Sequence, residues 1–309
     1  MRQRADTHVH TLYSGIGKYG LLRFPESITQ PEKMVDSARK KGLDIICITD
    51  HNAMGGAVIA ENYAKKFDDI EVVKGEEVST ADGEVVGLWM TEEIPAGLSI
   101  EETIDRIREQ GGLTIAPHPF SFHVPGLGDR VFDVDLDGIE TLNGGHIDRY
   151  SNAMASAVAK RFPGRWAEIG SSDSHSISTF GYSWTEFEGA GGEDLRKAIL
   201  DKTTVAGGTP VPLKTAVWWS MEVAVYPMRM ILRSLFGRLK DDPANPMVEQ
   251  VKKMRTRSKI AAVVGATIYI LPPIPYIAGL AGPVRLNKTA DRLLGEMEDR
   301  LNALQLKYS

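Results

Sequence analysis

Residues 31–52 read PEKMVDSARKKGLDIICITDHN, and this stretch sets the fold class. Pro31 to Lys41 is helix-like. Leu43 to Thr49 is a short β-branched run that predicts a strand, and it ends on Thr49-Asp50-His51. The same unit recurs along the chain. A helical stretch, Ala57 to Lys66, precedes a strand at Glu71 to Lys74. Ser99, with Glu102 three positions on, forms a capping box that predicts a helix to Gln110. Gly111-Gly112 ends it, and strand Leu113 to Ala116 follows. Asp137 to Leu142 and Trp166 to Gly170 read as further strands, and Asp194 to Leu200 as the last helix of this part. Helices alternating with strands predict a parallel sheet covered by helices, open or closed into a barrel.

The strand ends carry the chemistry. In order they are Thr7-His8-Val9-His10, Thr49-Asp50-His51, Gly75-Glu76-Glu77, Pro117-His118-Pro119, Leu142-Asn143 and Ser172-Asp173-Ser174-His175. In α/β barrels and sheets, sites form at the carboxyl ends of strands. His8 and His10 are two apart on an extended segment, so both face the same way; so do Asp173 and His175. Five of the seven histidines fall in these motifs. Imidazole and carboxylate donors converging from several strands suit divalent cations. A lone histidine on an apolar face is more often a core residue, but five on one edge point to metal.

These motifs resemble the PHP family, named for polymerase and histidinol phosphatase. The matching segments are His8-Val9-His10-Thr11, Thr49-Asp50-His51-Asn52, Gly75-Glu76-Glu77, Ala116-Pro117-His118-Pro119 and Gly170-Ser171-Ser172-Asp173-Ser174-His175. The resemblance covers residues 4 to 213 or so. It implies a distorted (β/α)7 TIM-like barrel with two or three divalent ions (manganese, zinc or iron). It also implies hydrolysis of a small phosphorylated metabolite, nucleotide or short oligonucleotide. By position, the metal ligands are His8, His10, His51, Glu77, His118, Asp173 and His175. Glu76 then points the other way. The catalytic candidates are Asp50, His118 and His175, with Asp50 orienting His51 or a neighbouring ligand; the plainer reading of Asp50 is a turn former. Two departures stand out. Tyr13-Ser14 is followed by Gly15 where the family often has Asp. The stretch Gly83-Glu84-Val85-Val86-Gly87 lacks a histidine that many members carry. They motivate a rival reading, a non-catalytic metal-binding sensor or scaffold.

Lys18 and Arg23, in the loop after the first strand, are candidates to hold a substrate phosphate, as is His146 beyond Asn143-Gly144-Gly145; His123 is a weaker one. No Walker-type G-x-x-x-x-G-K occurs. At 42% apolar and 25% charged residues, the composition is that of a globular chain. Cys47, the one cysteine, lies in an apolar run and reads as core. It allows no intramolecular disulfide, and the opening MRQRADTHVHTLYSG has no apolar signal region, so a cytoplasmic location is expected.

Charge divides the chain into two expected parts. Residues 1–213, the metal-hydrolase part, hold 21 basic and 33 acidic residues, net −12. Residues 214–309, a helical extension, hold 15 basic and 8 acidic, net +7. Within the extension, residues 260–284 carry no charge, with Pro272, Pro273 and Pro275 in the middle, and Asn287 to Leu306 reads as one charged helix. Two readings stay open: a re-entrant hairpin at a membrane surface, anchored by Trp218 and Trp219, or a hairpin packed on the barrel or in a homo-oligomer. No nucleic-acid-binding motif accompanies the basic charge, which leaves nucleic acid only as a short substrate.

Overall fold

The computed structural model describes residues 2–19 and 22–308, with side chains described outside 17–24, 278–280 and 283. The strands are β1 (Arg2–Val9), β2 (Ile16–Tyr19), β3 (Leu22–Pro25), β4 (Ile45–Ile48), β5 (Glu71–Ser79), β6 (Glu84–Leu88), β7 (Leu113–Ala116), β8 (Gly138–Asn143), β9 (Ala167–Ser171), β10 (Ser183–Glu188) and β11 (Val205–Gly208). The helices are α1 (Pro31–Lys41), α2 (Gly55–Ala64), α3 (Ile100–Glu109), α4 (Ser151–Arg161), α5 (Gly192–Leu200), α6 (Leu213–Leu235), α7 (Pro246–Lys253), α8 (Thr256–Ile270), α9 (Ile274–Gly295) and α10 (Met297–Tyr308).

Local rules account for the helix ends. Pro31 starts α1, Arg39, Lys40 and Lys41 crowd its last turn, and Gly42 closes it in the left-handed conformation at φ 67°. Ser99 caps α3 by accepting from the Glu102 amide at 3.2 Å. The Glu102 carboxylate bonds Arg106 instead of reaching back, so only half of the expected capping box forms.

Strands β1, β4 and β5 pair in parallel, as do β7, β8 and β9. Between them β6 runs antiparallel to both β5 and β7. The end of β9 returns to β1, where the His10 amide donates to Ser174 O at 2.9 Å. The seven strands β1 and β4–β9 therefore form a nearly closed, barrel-like sheet, and the antiparallel β10 and β11 extend it beyond β1. Strict helix–strand alternation fails at β6. A short turn, in which Thr80 Oγ1 donates to Gly83 O at 2.7 Å, folds it straight back onto β5.

Alternation along β4 divides the core. Ile45 and Cys47 pack with Ala5, Val73, Ile115 and Ile169 from the other strands, together with Leu195 and Ile199 of α5. Ile46 and Ile48 face the opposite way, against Met34 and Val35 of α1 and Ala57 and Ala60 of α2. The N-terminal halves of the strands are thus packed with apolar side chains, and the polar residues are left to the carboxyl ends.

The extension is bound into the barrel. The expected single helix over 287–306 is two: α9 ends at Gly295, and the chain turns into α10 at Met297. That turn buries Leu301 and Leu304 in one cluster with Met154 and Val158 of α4. Arg300 pairs with Asp129 at 2.5 Å and donates to Tyr150 OH at 2.8 Å, and the Tyr308 ring stacks on Phe132 at 4.5 Å. The uncharged run divides between α8 and α9. Among the described residues, no helix is long and apolar enough to cross a membrane. Since Leu301 is 1% exposed, Leu301→Ala should destabilise the whole chain by about 2–5 kcal/mol. Urea unfolding checks this, and an unchanged midpoint would contradict the docking of α10.

Candidate metal centre

Five strand ends bring their side chains to one point. His8 and His10, at the end of β1, place their Nε2 atoms 2.9 Å apart. Glu77 of β5 lies between several imidazoles. Its Oε2 is 2.9 Å from His51 Nδ1 and 3.3 Å from both His8 Nε2 and His10 Nε2. Its Oε1 is 3.3 Å from His118 Nε2. Asp173 Oδ1 is 3.3 Å from His10 Nε2 and 3.6 Å from His8 Nε2 and His175 Nδ1. The rings of His10 and His175 stack at 4.1 Å, and those of His10 and His51 at 4.5 Å. All seven residues expected as ligands are thus neighbours.

The backbone is bent to achieve this. His118 and Asp173 both adopt positive φ, 31° and 47°, which side chains other than glycine rarely take. Each follows the end of a strand and turns its donor inward.

The donors fit divalent cations better than they fit one another. Glu77 Oε2 is buried beside three imidazole nitrogens yet takes no well-directed hydrogen bond, and His118 Nδ1 is likewise buried without a partner. A buried carboxylate oxygen left in that state is costly unless a cation meets it. Donors within reach of one another form three overlapping sets: His8, His10 and Glu77; His10, His51 and His175; and His51, Glu77 and Glu84. His8, His10, Glu77 and His118 form the floor. His51 and His175, with 21% and 17% of their side chains exposed, border the opening. From the extension, the Trp219 ring stands 6.0 Å from that of His175.

The charges show what holds the donors in place. Burial pushes Glu77 up, but His51 and His8 outweigh it and hold the carboxyl well below its usual range. Asp173 is held low in the same way, by His8 and the His10 hydrogen bond against its burial. Burial pushes His51 and His118 down, yet Glu77 raises both to about 9. His175 goes the other way, to about 3, through burial and the nearby His10.

A second ring of groups fixes the donors, and the sequence reading missed most of it. Glu140, inside β8, contacts His8 Nδ1 at 2.9 Å and accepts from the His118 amide at 2.7 Å, Ser171 Oγ at 2.5 Å and Asn143 Nδ2 at 2.8 Å. Asn143 also donates to Asp173 Oδ2 at 3.0 Å. Such contacts set ring orientation and tautomer. The available signal was a charge in the otherwise strand-like Gly138-Ile139-Glu140. Asp50 proves to be a positioning residue. It accepts from the Thr11 amide, Thr11 Oγ1 and Ser14 Oγ at 2.5–2.7 Å, and Ser14 Oγ lies 3.0 Å from His10 Nδ1. Through Ser14 it orients His10, one of the neighbouring ligands anticipated alongside His51. A Cβ on Gly56 would lie 2.1 Å from Asp50 Oδ2, so only glycine leaves room for this network. Glu76 faces away, as expected, and accepts from the Ile94 amide.

His146 lies beside the centre, its ring stacked at 5.3 Å on His118, but Asn143 and Ser121 occupy its two nitrogens. His123 continues the stack at 4.7 Å and bonds Asp148 at 3.0 Å. The side chains of Lys18 and Arg23 lie outside the described residues.

The fold and pocket define a barrel with a candidate multi-metal centre at the carboxyl ends of its strands. Residues 6–102 match the PHP domain family, and residues 149–204 match the PHP-associated family. An uncharacterised protein of Methanocaldococcus jannaschii is 50% identical over 161 residues, covering 52% of this chain and 94% of that one. A second from the same organism is 32% identical over 195 residues, covering 60% and 70%. The crystal structure of PsfC from Pseudomonas syringae PB-5123 shares the fold, with TM-score 0.51 and 19% identity over 67% of this chain and 92% of that one. The chain belongs to the PHP family.

Loading the centre must displace protons from His51 and His118, which Glu77 helps to hold up to about pH 9. Metal affinity should therefore rise as the pH climbs from 7 toward 9. Calorimetric titration in buffers of different ionisation enthalpy counts the released protons. Affinity that does not change over that window would contradict this electrostatic account.

Proposed function

We propose that this chain is a metal-dependent hydrolase of phosphate esters, acting on a small phosphorylated metabolite, a nucleotide or a short oligonucleotide. The carrying observation is Glu77 Oε2, buried and unbonded among three imidazole nitrogens, with Asp173 beside them. Overlapping donor sets suit more than one cation. Paired cations match an in-line displacement at phosphorus, where both attacking and leaving oxygens carry charge. Held there, manganese, zinc or iron supplies Lewis acidity, making water a nucleophile near neutral pH.

The protein's own work is positioning. His8, His10 and Glu77 in the floor and Asp173 beside them hold the centre, and Glu140, Ser14 and Asn143 lock their orientations. The neutral His175 and the neighbouring His51, both at the opening, meet the incoming ester. His118 is fixed against Glu77 and stacked on His146, which shapes the wall beyond. The partly exposed donors at the opening suit a small substrate reached from solvent.

Assays with phosphomonoesters and phosphodiesters in added manganese or zinc test the proposal. Turnover is expected, with losses of about 100-fold or more in His8→Ala and Asp173→Ala. A chain that takes up metal but turns over neither ester class would contradict it.

A further inference from the structure

Glu84 is a carboxylate whose surroundings the chemistry above does not explain. It opens β6 and lies diagonally across the β5–β6 pair from Glu77, since Glu77 pairs with Val86 and Ser79 with Glu84. Diagonal neighbours share a face, so both carboxylates point into the pocket. The Glu84 backbone is pinned, its amide donating to Pro125 O at 3.0 Å. The side chain is only 11% exposed. Its Oε1 is 3.8 Å from His51 Nδ1 and its Oε2 is 3.8 Å from His118 Nε2, both too long for a hydrogen bond. Neither oxygen comes close enough to those imidazoles to bond, and the Glu77 carboxylate stands opposite.

Two buried carboxylates facing each other across two imidazoles repel unless one takes a proton or a cation lies between them. Donors bound to one ion at about 2.1 Å stand roughly 3.0–3.4 Å apart, so Glu84 Oε1 and His51 Nδ1, at 3.8 Å, need to close by about half an ångström. The donor atoms of His51, Glu77 and Glu84 already lie within 4.8 Å of one another. We propose that Glu84 is a metal ligand and completes, with His51 and Glu77, a carboxylate-rich metal position beside the His8–His10 position. Two carboxylates and one imidazole form a harder donor set than the two imidazoles and one carboxylate of His8, His10 and Glu77. The Glu84 position accordingly favours manganese relative to zinc more than the His8–His10 position does. The inference rests on the multi-metal reading above. It answers the missing histidine of the Gly83–Gly87 stretch: the donor is present, as a carboxylate.

The test is metal uptake by the full chain, stripped with chelator and titrated with manganese alone or zinc alone. Ion content after gel filtration and calorimetric affinity are the readouts. Glu84→Gln is expected to bind one manganese ion fewer than the wild type, or to bind it at least about 10-fold more weakly. Its melting temperature in chelator should match the wild type, because glutamine keeps the side chain's shape and Glu84 comes no closer than 3.8 Å to either imidazole. Glu84→His is expected to match wild-type zinc uptake while losing the same manganese ion, and it carries the test should Glu84→Gln melt early. Wild-type manganese uptake and affinity in both variants would overturn the role of Glu84 and leave the hydrolase proposal standing. A wild-type chain that binds no divalent ion would overturn both.

Discussion

Glu77 places an ionised carboxylate, 1% exposed, at the bottom of the pocket. Alone, such a charge would be neutralised or would unfold its surroundings. Here it is met from several sides, by His51 at 2.9 Å and by His8, His10 and His118 at 3.3 Å. Each of those rings belongs to a different strand end or to a different position on one. The barrel must therefore close for the charge to be compensated, and the compensation in turn fixes the register of β1, β5 and the segments after β4 and β7. Glu140 extends the constraint to β8 and β9 through Ser171 and Asn143. The left-handed conformations at His118 and Asp173 persist because this network over-determines them.

The same packing explains why the opening has the shape it has. Apolar side chains fill the barrel at the N-terminal ends of the strands, so the donors can converge only at the other end. There the extension contributes directly. Leu12, just after the His-x-His motif, is buried with Met230, Ile231, Met247 and Val248 from α6 and α7. Trp219 of α6 stands over His175. Helices of the basic extension thus border the site and complete the core under α4.

What the sequence made readable is local. His8 and His10 two apart on a strand had to share a face, and their Nε2 atoms are 2.9 Å apart. Helix α1 and strand β7 fall on the residues whose composition predicted them, Pro31–Lys41 and Leu113–Ala116. What stayed hidden depends on cross-strand partners. Glu84 and Glu140 look like solvent-facing charges in short strands until β5 and β9 are laid beside them. The β6 reversal was hidden because its turn is too short to interrupt the apolar pattern. The bond from Asp50 to Ser14 crosses from one strand end to another, so which ligand Asp50 orients was not readable from its place beside His51. In the extension, the docking of α10 depends on a surface built by α4 and residues 128–132, far away in the chain.

The most direct measurement is anomalous diffraction at the manganese edge from crystals of the full chain grown with manganese. The account predicts at least two peaks in the pocket, one between His8, His10 and Glu77 and one between His51, Glu77 and Glu84. A crystal with no peak against Glu77, under conditions where the ion is in excess, would contradict it.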